Sequence, residues 1–338
     1  MAKKRALARR AKMQPAELTL KYQLPGNGTD VYIDLMRDLS AVNRRGYNAG
    51  QVLHITGFSI KQDSAAANTT GLESTIKALP MTLVAAQAYM KARMAWMDQQ
   101  NRVRREAGQD SIRPAYEDFK VFMDNGQRAW AAAEVAAGRL TVGEYSQPTL
   151  TGDSAVAVVQ GEWDPSRLVY ADQTSDPETI KQPFLHMVGP DVGDADIGLI
   201  NAYEDSRATV SATQPNVPAA ASSNIYALMT IGQDDGAAKE VIENMEDDND
   251  NPPYALNNYP GGAVNYPNNV DKCYVQTNPS NPVVQAPGFH CMLGLIRVYS
   301  QGKTLATGAD TTLTGTLLVH LAPGSKRGVL SMNVGDLV

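Results

Sequence analysis

Hydrophobic and polar positions alternate in short runs along much of this chain, which is the period of a half-buried β-strand. In Gln51–Gln62 every second residue from Val52 to Ile60 falls on one face, and Gly57 marks the position of a bulge. Further strands are predicted near the end of the chain, at Val283–Val284, Phe289–Tyr299, Thr311–Leu321 and Val329–Val334. The second and third of these flank an eleven-residue loop. We therefore predict that they form an antiparallel pair.

Helical periodicity is confined to a few segments. Apolar positions recur at intervals of three and four between Leu79 and Ala107, which predicts the longest helix. Gly108 follows, the residue type favoured just beyond a helix end. Shorter helices are predicted at Thr29–Asn43, Ala129–Ala137 and Lys239–Met245, whereas Arg113–Asn125 has the pattern of a strand. Strands and helices do not alternate regularly, which excludes a doubly wound α/β fold.

After Leu140 the chain consists of short β-like runs separated by turn signals such as Asp164-Pro165 and Gly189-Pro190. Many short strands, long loops and few helices are typical of a β-sandwich or jelly roll with insertions. We therefore predict a mainly β protein in two parts. The first is an N-terminal arm, residues 1–14, and the second is a body, residues 15–338, with inserted helices at about 79–107 and an exposed loop excursion at about 246–270.

Charge is distributed unevenly between these two parts. The whole chain has a net charge of −6, yet residues 1–13 contain no carboxylate. Their six basic residues are Lys3, Lys4, Arg5, Arg9, Arg10 and Lys12. Residues 14–338 hold the other 24 basic residues and all 36 acidic ones. A basic arm on an acidic body is the charge pattern of a segment that neutralises nucleic-acid phosphates without reading their sequence.

Two other interpretations of the arm remain open. A secretory signal is not one of them, because it needs 7–15 consecutive apolar residues. Here alanine and leucine are scattered among the charges before Gln14-Pro15. The first is a mitochondrial presequence or a membrane-surface segment, with which the arginines and Leu7 are compatible. The second is a solvated end without a partner. No apolar run elsewhere reaches the roughly 18 residues of a membrane span.

Catalytic motifs are missing from the sequence. It has no GxSxG, HExxH, P-loop or GxGxxG pattern, so we predict that it is not an enzyme. The four histidines (His54, His186, His290 and His320) lie far apart along the chain, in apolar strand-like contexts typical of core or interface residues. Cys273 and Cys291 are predicted to be two buried thiols rather than a disulfide, and no ligand spacing supports a structural zinc site.

Two acidic segments are the only candidates for metal binding. Glu243–Asp250 is dense in carboxylates but lacks the glycine and closing glutamate of an EF-hand loop. Asp191, Asp194 and Asp196 have alternating spacing on a glycine-bearing loop. We interpret both as solvated acidic loops, with Ca²⁺ binding as the alternative, and we predict no cofactor.

Three segments carry a resemblance to known proteins: YIDLMRDLSAVNRRGYNAGQVLHITGFSI (residues 32–60), VIENMEDDNDNPPY (241–254) and GTLLVHLAPGSKRGVL (315–330). They are similar to coat proteins of small icosahedral viruses, most of all those of circular single-stranded DNA viruses. The resemblance implies a single jelly roll, self-assembly into the shell of a virion, and an N-terminus that faces the packaged genome. A double jelly roll is the alternative, but it needs about sixteen core strands, and the first half of the chain offers too few.

The resemblance also implies the partners: further copies of the chain and a single-stranded DNA genome bound without sequence specificity, with no membrane. Candidate interface aromatics are Tyr254, Tyr259, Tyr266 and Tyr274, and the basic half of the long helix, Lys91–Arg105, is a second candidate for genome contact. A phage tail, spike or pilus component is the main rival function. A carbohydrate-active β-sandwich is a weaker one, because the chain has only three tryptophans. The acidic body argues against a histone-like DNA condenser.

Overall fold

The computed structural model describes residues 14–63, 70–109, 114, 116–136, 163–171, 180–190, 195–205 and 268–337. The basic residues of the arm, the acidic segment Glu243–Asp250, the predicted helix Lys239–Met245 and most of the predicted loop excursion lie outside these residues.

Seventeen strands and four α-helices are present in the described part of the chain. The strands are β1 (Thr19–Leu24), β2 (Asn27–Asp34), β3 (Gln51–Gln62), β4 (Thr70–Ala78), β5 (Tyr170–Ala171), β6 (Ile180–Lys181), β7 (Phe184–His186), β8 (Asp196–Gly198), β9 (Val270–Gln276), β10 (Val283–Pro287), β11 (His290–Met292), β12 (Leu295–Thr304), β13 (Asp310–Thr311), β14 (Gly315–Leu321), β15 (Pro323–Gly324), β16 (Gly328–Val329) and β17 (Ser331–Asn333). The helices are α1 (Leu35–Asn43), α2 (Leu83–Glu106), α3 (Asn125–Ala136) and α4 (Leu199–Asp205), and Val334–Leu337 forms a 3-10 turn.

Two antiparallel sheets form the sandwich, one of six strands and one of five. Eight strands make up their main paths, while β11 and β17 also pair with β3, and β13 also pairs with β12. The first sheet has the order β1-β14-β3-β10, and the second has the order β2-β12-β4-β9. Counted along the chain, these orders are 1-8-3-6 and 2-7-4-5, which is the strand order of a jelly roll. The prediction of a mainly β, single jelly roll is therefore confirmed, and the described residues contain no second roll.

The main core lies between the two sheets. Tyr22 and Phe58 from the first sheet and Ile76 and Val298 from the second belong to one buried cluster. Sequence alternation accounts for this arrangement, because every second residue of β14 from Gly315 to Leu321 is buried. The bulge predicted near Gly57 is also present, since the pairing register of β3 with β14 shifts after His320.

A second core is built on the long connection between β4 and β9. Helix α2 begins after Thr82, whose hydroxyl accepts a hydrogen bond from the amide of Ala85 at 3.1 Å. The predicted Leu79–Ala107 helix is thus confirmed, with its start four residues later. Its buried residues pack with Tyr32 and Met292 of the jelly-roll strands and with Phe119 of the connection. The predicted insertion is therefore attached to the sandwich through an apolar cluster of its own.

Three predictions of elements were wrong. Thr29–Asn43 is not one helix, because its first residues extend β2 against β12 and only Leu35–Asn43 is helical. In Arg113–Asn125, the described residues form one isolated bridge, at Phe122, and no strand. The predicted pair of the terminal strands does not exist, since β12 pairs with β2, β4 and β13 while β14 belongs to the first sheet. In each case partners distant in the sequence determine the pairing.

Both cysteines are free thiols, as predicted. Cys291 is fully buried and Cys273 is half-buried, and burial raises the pKa of the Cys273 thiol to about 11. Burial raises the pKa of Cys291 further. No helix in the described residues is long and apolar enough to cross a membrane.

Candidate nucleic-acid interface

The N-terminal arm joins the body at one end of the sandwich, between α1 and the β15–β16 turn. Arg45 donates a hydrogen bond from Nη1 to the carbonyl of Pro15 at 2.9 Å. The amide of Glu17 donates to Oδ1 of Asn43 at 2.7 Å. On the other side, a Cβ placed on Gly328 would lie 2.5 Å from the Cβ of Ala16. Only glycine therefore lets the turn approach the base of the arm this closely.

Helix α1 places the first pair of basic residues beside this junction. Its N-terminus is fixed by Asp34, which is 3% exposed and accepts hydrogen bonds from the amides of Met36 and Arg37 at 2.9 and 3.1 Å. Its C-terminus ends on Arg44, which has the left-handed conformation with φ 51°. That conformation turns the chain so that Arg45 reaches the arm.

The underside of α1 is held by a buried network of charged residues. Tyr22 donates a hydrogen bond from its hydroxyl to Oδ2 of Asp38 at 2.6 Å, and Arg37 forms an ion pair with Asp38 at 3.0 Å. Burial raises the pKa of the Asp38 carboxyl to about 6, although the charge of Arg37 opposes the shift. The helix is thus anchored by polar contacts at positions that the core would otherwise fill with apolar side chains.

The β15–β16 turn supplies the second pair of basic residues, Lys326 and Arg327. The carbonyl of Arg327 accepts a hydrogen bond from the hydroxyl of Tyr47 at 2.8 Å. Its guanidinium covers Gly46, since Nη1 lies 3.4 Å from the position of a Cβ on that glycine. Arg327, like Arg44, has a positive φ, here 54°. We call the four residues Arg44, Arg45, Lys326 and Arg327 the basic rim.

An exposed aromatic side chain adjoins the basic rim. Tyr116 is 82% exposed, and its ring lies 3.6 Å from the Cβ position of Gly46, next to the Arg327 guanidinium. The neighbouring residue, Glu117, forms a bidentate pair with Arg104 of α2, with distances of 2.9 and 2.6 Å. The basic end of α2 is thereby attached beside the rim. An exposed ring among cations is a combination that binds single-stranded nucleic acid, because bases stack on the ring and phosphates meet the charges.

Two described carboxylates near the rim already have partners. Asp118 accepts hydrogen bonds from the amides of Ala49 and Phe119, and burial raises its pKa. Asp336 interacts electrostatically with Lys326. Burial lowers the pKa of Lys326, and the negative charge of Asp336 opposes part of that shift. Within the described residues, Arg44 and Arg327 form no ion pair. Their charges therefore face solvent and are free to meet a polyanion.

The prediction from sequence named two nucleic-acid candidates. The first is the arm, whose six basic residues lie outside the described part of the chain. The second is Lys91–Arg105 of α2, where Arg102 pairs with Asp98 and Arg104 pairs with Glu117.

The prediction from sequence missed the rim and Tyr116, although two basic-basic-glycine triplets, residues 44–46 and 326–328, stand in two of the segments that carry the resemblance. Their separation along the chain hid the fact that the two turns meet.

The other predicted site residues are not brought together into a site. Of the candidate interface tyrosines only Tyr274 is described, and it is 60% exposed on β9. Of the candidate metal ligands only Asp196 is described, and it is buried in an ion pair with Arg128. The described residues contain no group of three or more histidine, cysteine or carboxylate side chains suited to hold a metal ion.

Comparisons of this chain with protein-family models, with curated proteins and with solved structures found no match. Fold and local chemistry are therefore the basis for a functional proposal.

Proposed function

We propose that this protein is a coat subunit that assembles with copies of itself into a closed shell around a single-stranded DNA genome. The observation that carries the proposal is the base of the arm: Pro15 and Ala16 lie against the basic rim, and six basic residues precede them in the sequence. Cations from two sequence-distant turns extend the same charge onto the folded body.

The fold supports the proposal without deciding it. Jelly rolls form viral shells, but the same architecture serves lectins and other proteins. The separation of charge gives the proposal support beyond the fold. The arm has a net charge of +6 and the rest of the chain has a net charge of −12. In a shell, that asymmetry lets the arm bind the genome while the acidic remainder keeps the particle soluble. The same asymmetry has no evident use in a tail, spike or pilus subunit.

The direct test is to express the full chain, examine it by negative-stain electron microscopy and read the 260/280 nm absorbance ratio of the same fraction. We expect uniform closed particles with a ratio typical of bound nucleic acid. Monomers or small oligomers without nucleic acid, over a range of salt and pH, would overturn the shell proposal and favour a sandwich protein of another function.

Deleting residues 2–13 tests the role of the arm separately. Because the described core is built from residues after position 13 and the deletion removes six cations, we expect particles to form with less nucleic acid and a lower absorbance ratio. A variant with all six basic residues changed to glutamine is the matched control, since it keeps the length of the arm. If both variants package as much nucleic acid as the unmodified chain, the arm has another role even where shells form.

A further inference from the structure

A pair of histidines stands on the outer face of the first sheet. His54 of β3 and His290 of β11 are directly opposite each other in the antiparallel register. Their Nδ1 atoms are 3.3 Å apart, whereas the ring centroids are 4.6 Å apart. The two Nδ1 atoms therefore face each other within hydrogen-bond distance.

The backbone explains why the rings come so close. The amide of His54 donates to the carbonyl of Leu330, and its carbonyl accepts from the amide of Ala322, so both groups point away from β11. Towards β11 the two histidines are thus a non-hydrogen-bonded pair, the kind in which opposite side chains approach most closely. Gly288 allows this approach, because a Cβ there would lie 1.9 Å from the carbonyl oxygen of Ile55.

We propose that His54 and His290 form a bidentate binding site for a zinc-class divalent metal ion. Zn²⁺ binds imidazole nitrogen at 2.0–2.1 Å with tetrahedral geometry, which places two ligating nitrogens about 3.3–3.4 Å apart. The observed separation of the two Nδ1 atoms is 3.3 Å. A metal ion replaces the proton that the two nitrogens otherwise share.

The surroundings leave the site open. His290 is exposed and His54 is partly exposed, and neither forms an ion pair in the described part of the chain. Two coordination positions of a tetrahedral ion therefore remain for water or for a ligand from a second copy of the chain. A soft or borderline metal fits this site, because Ca²⁺ and Mg²⁺ prefer oxygen ligands.

His320 provides a matched control on the same sheet. Its Nδ1 lies 3.3 Å from the hydroxyl of Thr19 and its Nε2 lies 2.9 Å from the hydroxyl of Ser59. Both ring nitrogens are thus already bonded to side chains. Its replacement changes the number of surface histidines without touching the pair.

The test is a calorimetric titration of the full chain with Zn²⁺, carried out with Cys273→Ser in every protein so that the half-buried thiol cannot compete. We expect one Zn²⁺ per chain, or one per two chains where a second copy completes the site, and no comparable binding of Mg²⁺. His54→Gln and His290→Gln each remove a ligand itself, so each should weaken Zn²⁺ binding by at least the roughly tenfold that loss of an outer-shell partner costs. His320→Gln should leave it unchanged.

Thermal unfolding supplies a second readout that does not depend on assembly. The two histidines are 236 residues apart and meet only in the folded chain, so a bound ion stabilises the folded state. Zn²⁺ should raise the unfolding midpoint of the unmodified chain and of His320→Gln, but not of His290→Gln. The proposal is overturned if Zn²⁺ does not bind, or if it binds the pair variants as tightly as the unmodified chain.

Discussion

At the scale of single residues, the conformations of Arg44 and Arg327 are the least expected feature of the rim. Both have positive φ values, in a region where glycine is the residue without steric cost. An arginine held there costs on the order of 1 kcal/mol relative to an unstrained residue. The two arginines therefore do not stabilise their turns as well as glycine would, and their side chains are candidates for a binding role. In the proposed function that role is phosphate binding.

Glycine at these two positions should affect binding without affecting folding. Arg44→Gly and Arg327→Gly remove the strain but also give the unfolded chain more freedom, so we expect free energies of unfolding within about 1 kcal/mol of the unmodified protein. Binding of a labelled single-stranded oligonucleotide should weaken, and each variant should lower the salt dependence of binding by about one counterion. Urea unfolding and fluorescence anisotropy measure the two quantities.

The control for these variants removes a charge from the opposite end of the sandwich. Lys303 lies near the C-terminal end of β12 and pairs with Asp310. The next residue towards the N-terminus, Gly302, donates a hydrogen bond to Gly26, which follows the end of β1 farthest from the arm. Lys303→Gln should bind the oligonucleotide as the unmodified protein does. Equal weakening in Lys303→Gln and Arg44→Gly would mean that net charge, rather than the rim, determines the affinity.

At the scale of elements, helix α1 links the sandwich, the insertion and the rim. Its N-cap residue, Asp34, also accepts a hydrogen bond at 2.8 Å from the indole nitrogen of Trp163, which lies in the insertion. Its C-terminus carries Arg44 and Arg45. A single buried carboxylate therefore fixes the start of a helix whose other end faces the proposed ligand.

We predict a graded loss of stability at Asp34. Asp34→Ser keeps an N-cap oxygen but leaves the indole of Trp163 without its acceptor, which should cost about 1–3 kcal/mol. Asp34→Ala also loses the cap, which should cost about 1 kcal/mol more. Chemical denaturation of the three proteins measures the order. An alanine variant as stable as the unmodified chain would show that the cap does not stabilise α1.

At the scale of the whole molecule, the proposed function depends on charges that act together rather than on one contact. The arm adds six cations to a rim that already holds four. Nucleic-acid binding by such a surface is driven by the release of counterions and weakens as salt rises. The base sequence of the nucleic acid should matter little, because counterion release depends on phosphates and not on base edges.

The salt dependence gives the corresponding prediction. For single strands the slope of log K against log salt changes by about 0.7 per phosphate neutralised, so deleting residues 2–13 should reduce its magnitude by up to about 4. Anisotropy titrations at several salt concentrations measure the slope for the full and shortened chains. Oligonucleotides of different sequence should give the same result. An unchanged slope would mean that the arm does not contact phosphates.

Part of this molecule could be predicted from local patterns alone. Alternation in Gln51–Gln62 identified β3, the helical period from Leu79 to Ala107 identified α2, and the arm followed from counting charges. These properties depend on neighbours along the chain. The helix predicted at Thr29–Asn43 was wrong because local patterns do not show distant partners. Its helical spacing is real, but pairing of Asn27–Asp34 with β12 outweighs that preference.

The sequence by itself thus determined the class of fold, the position of the long helix and the separation of charge, because each follows from short-range periodicity or composition. Only the tertiary structure decided which strands pair, and with them which residues meet. The jelly-roll topology places Arg45 beside Arg327 and His54 beside His290, although 282 and 236 residues separate them. No local pattern holds that information, since a contact between distant residues is created by the path of the chain through both sheets.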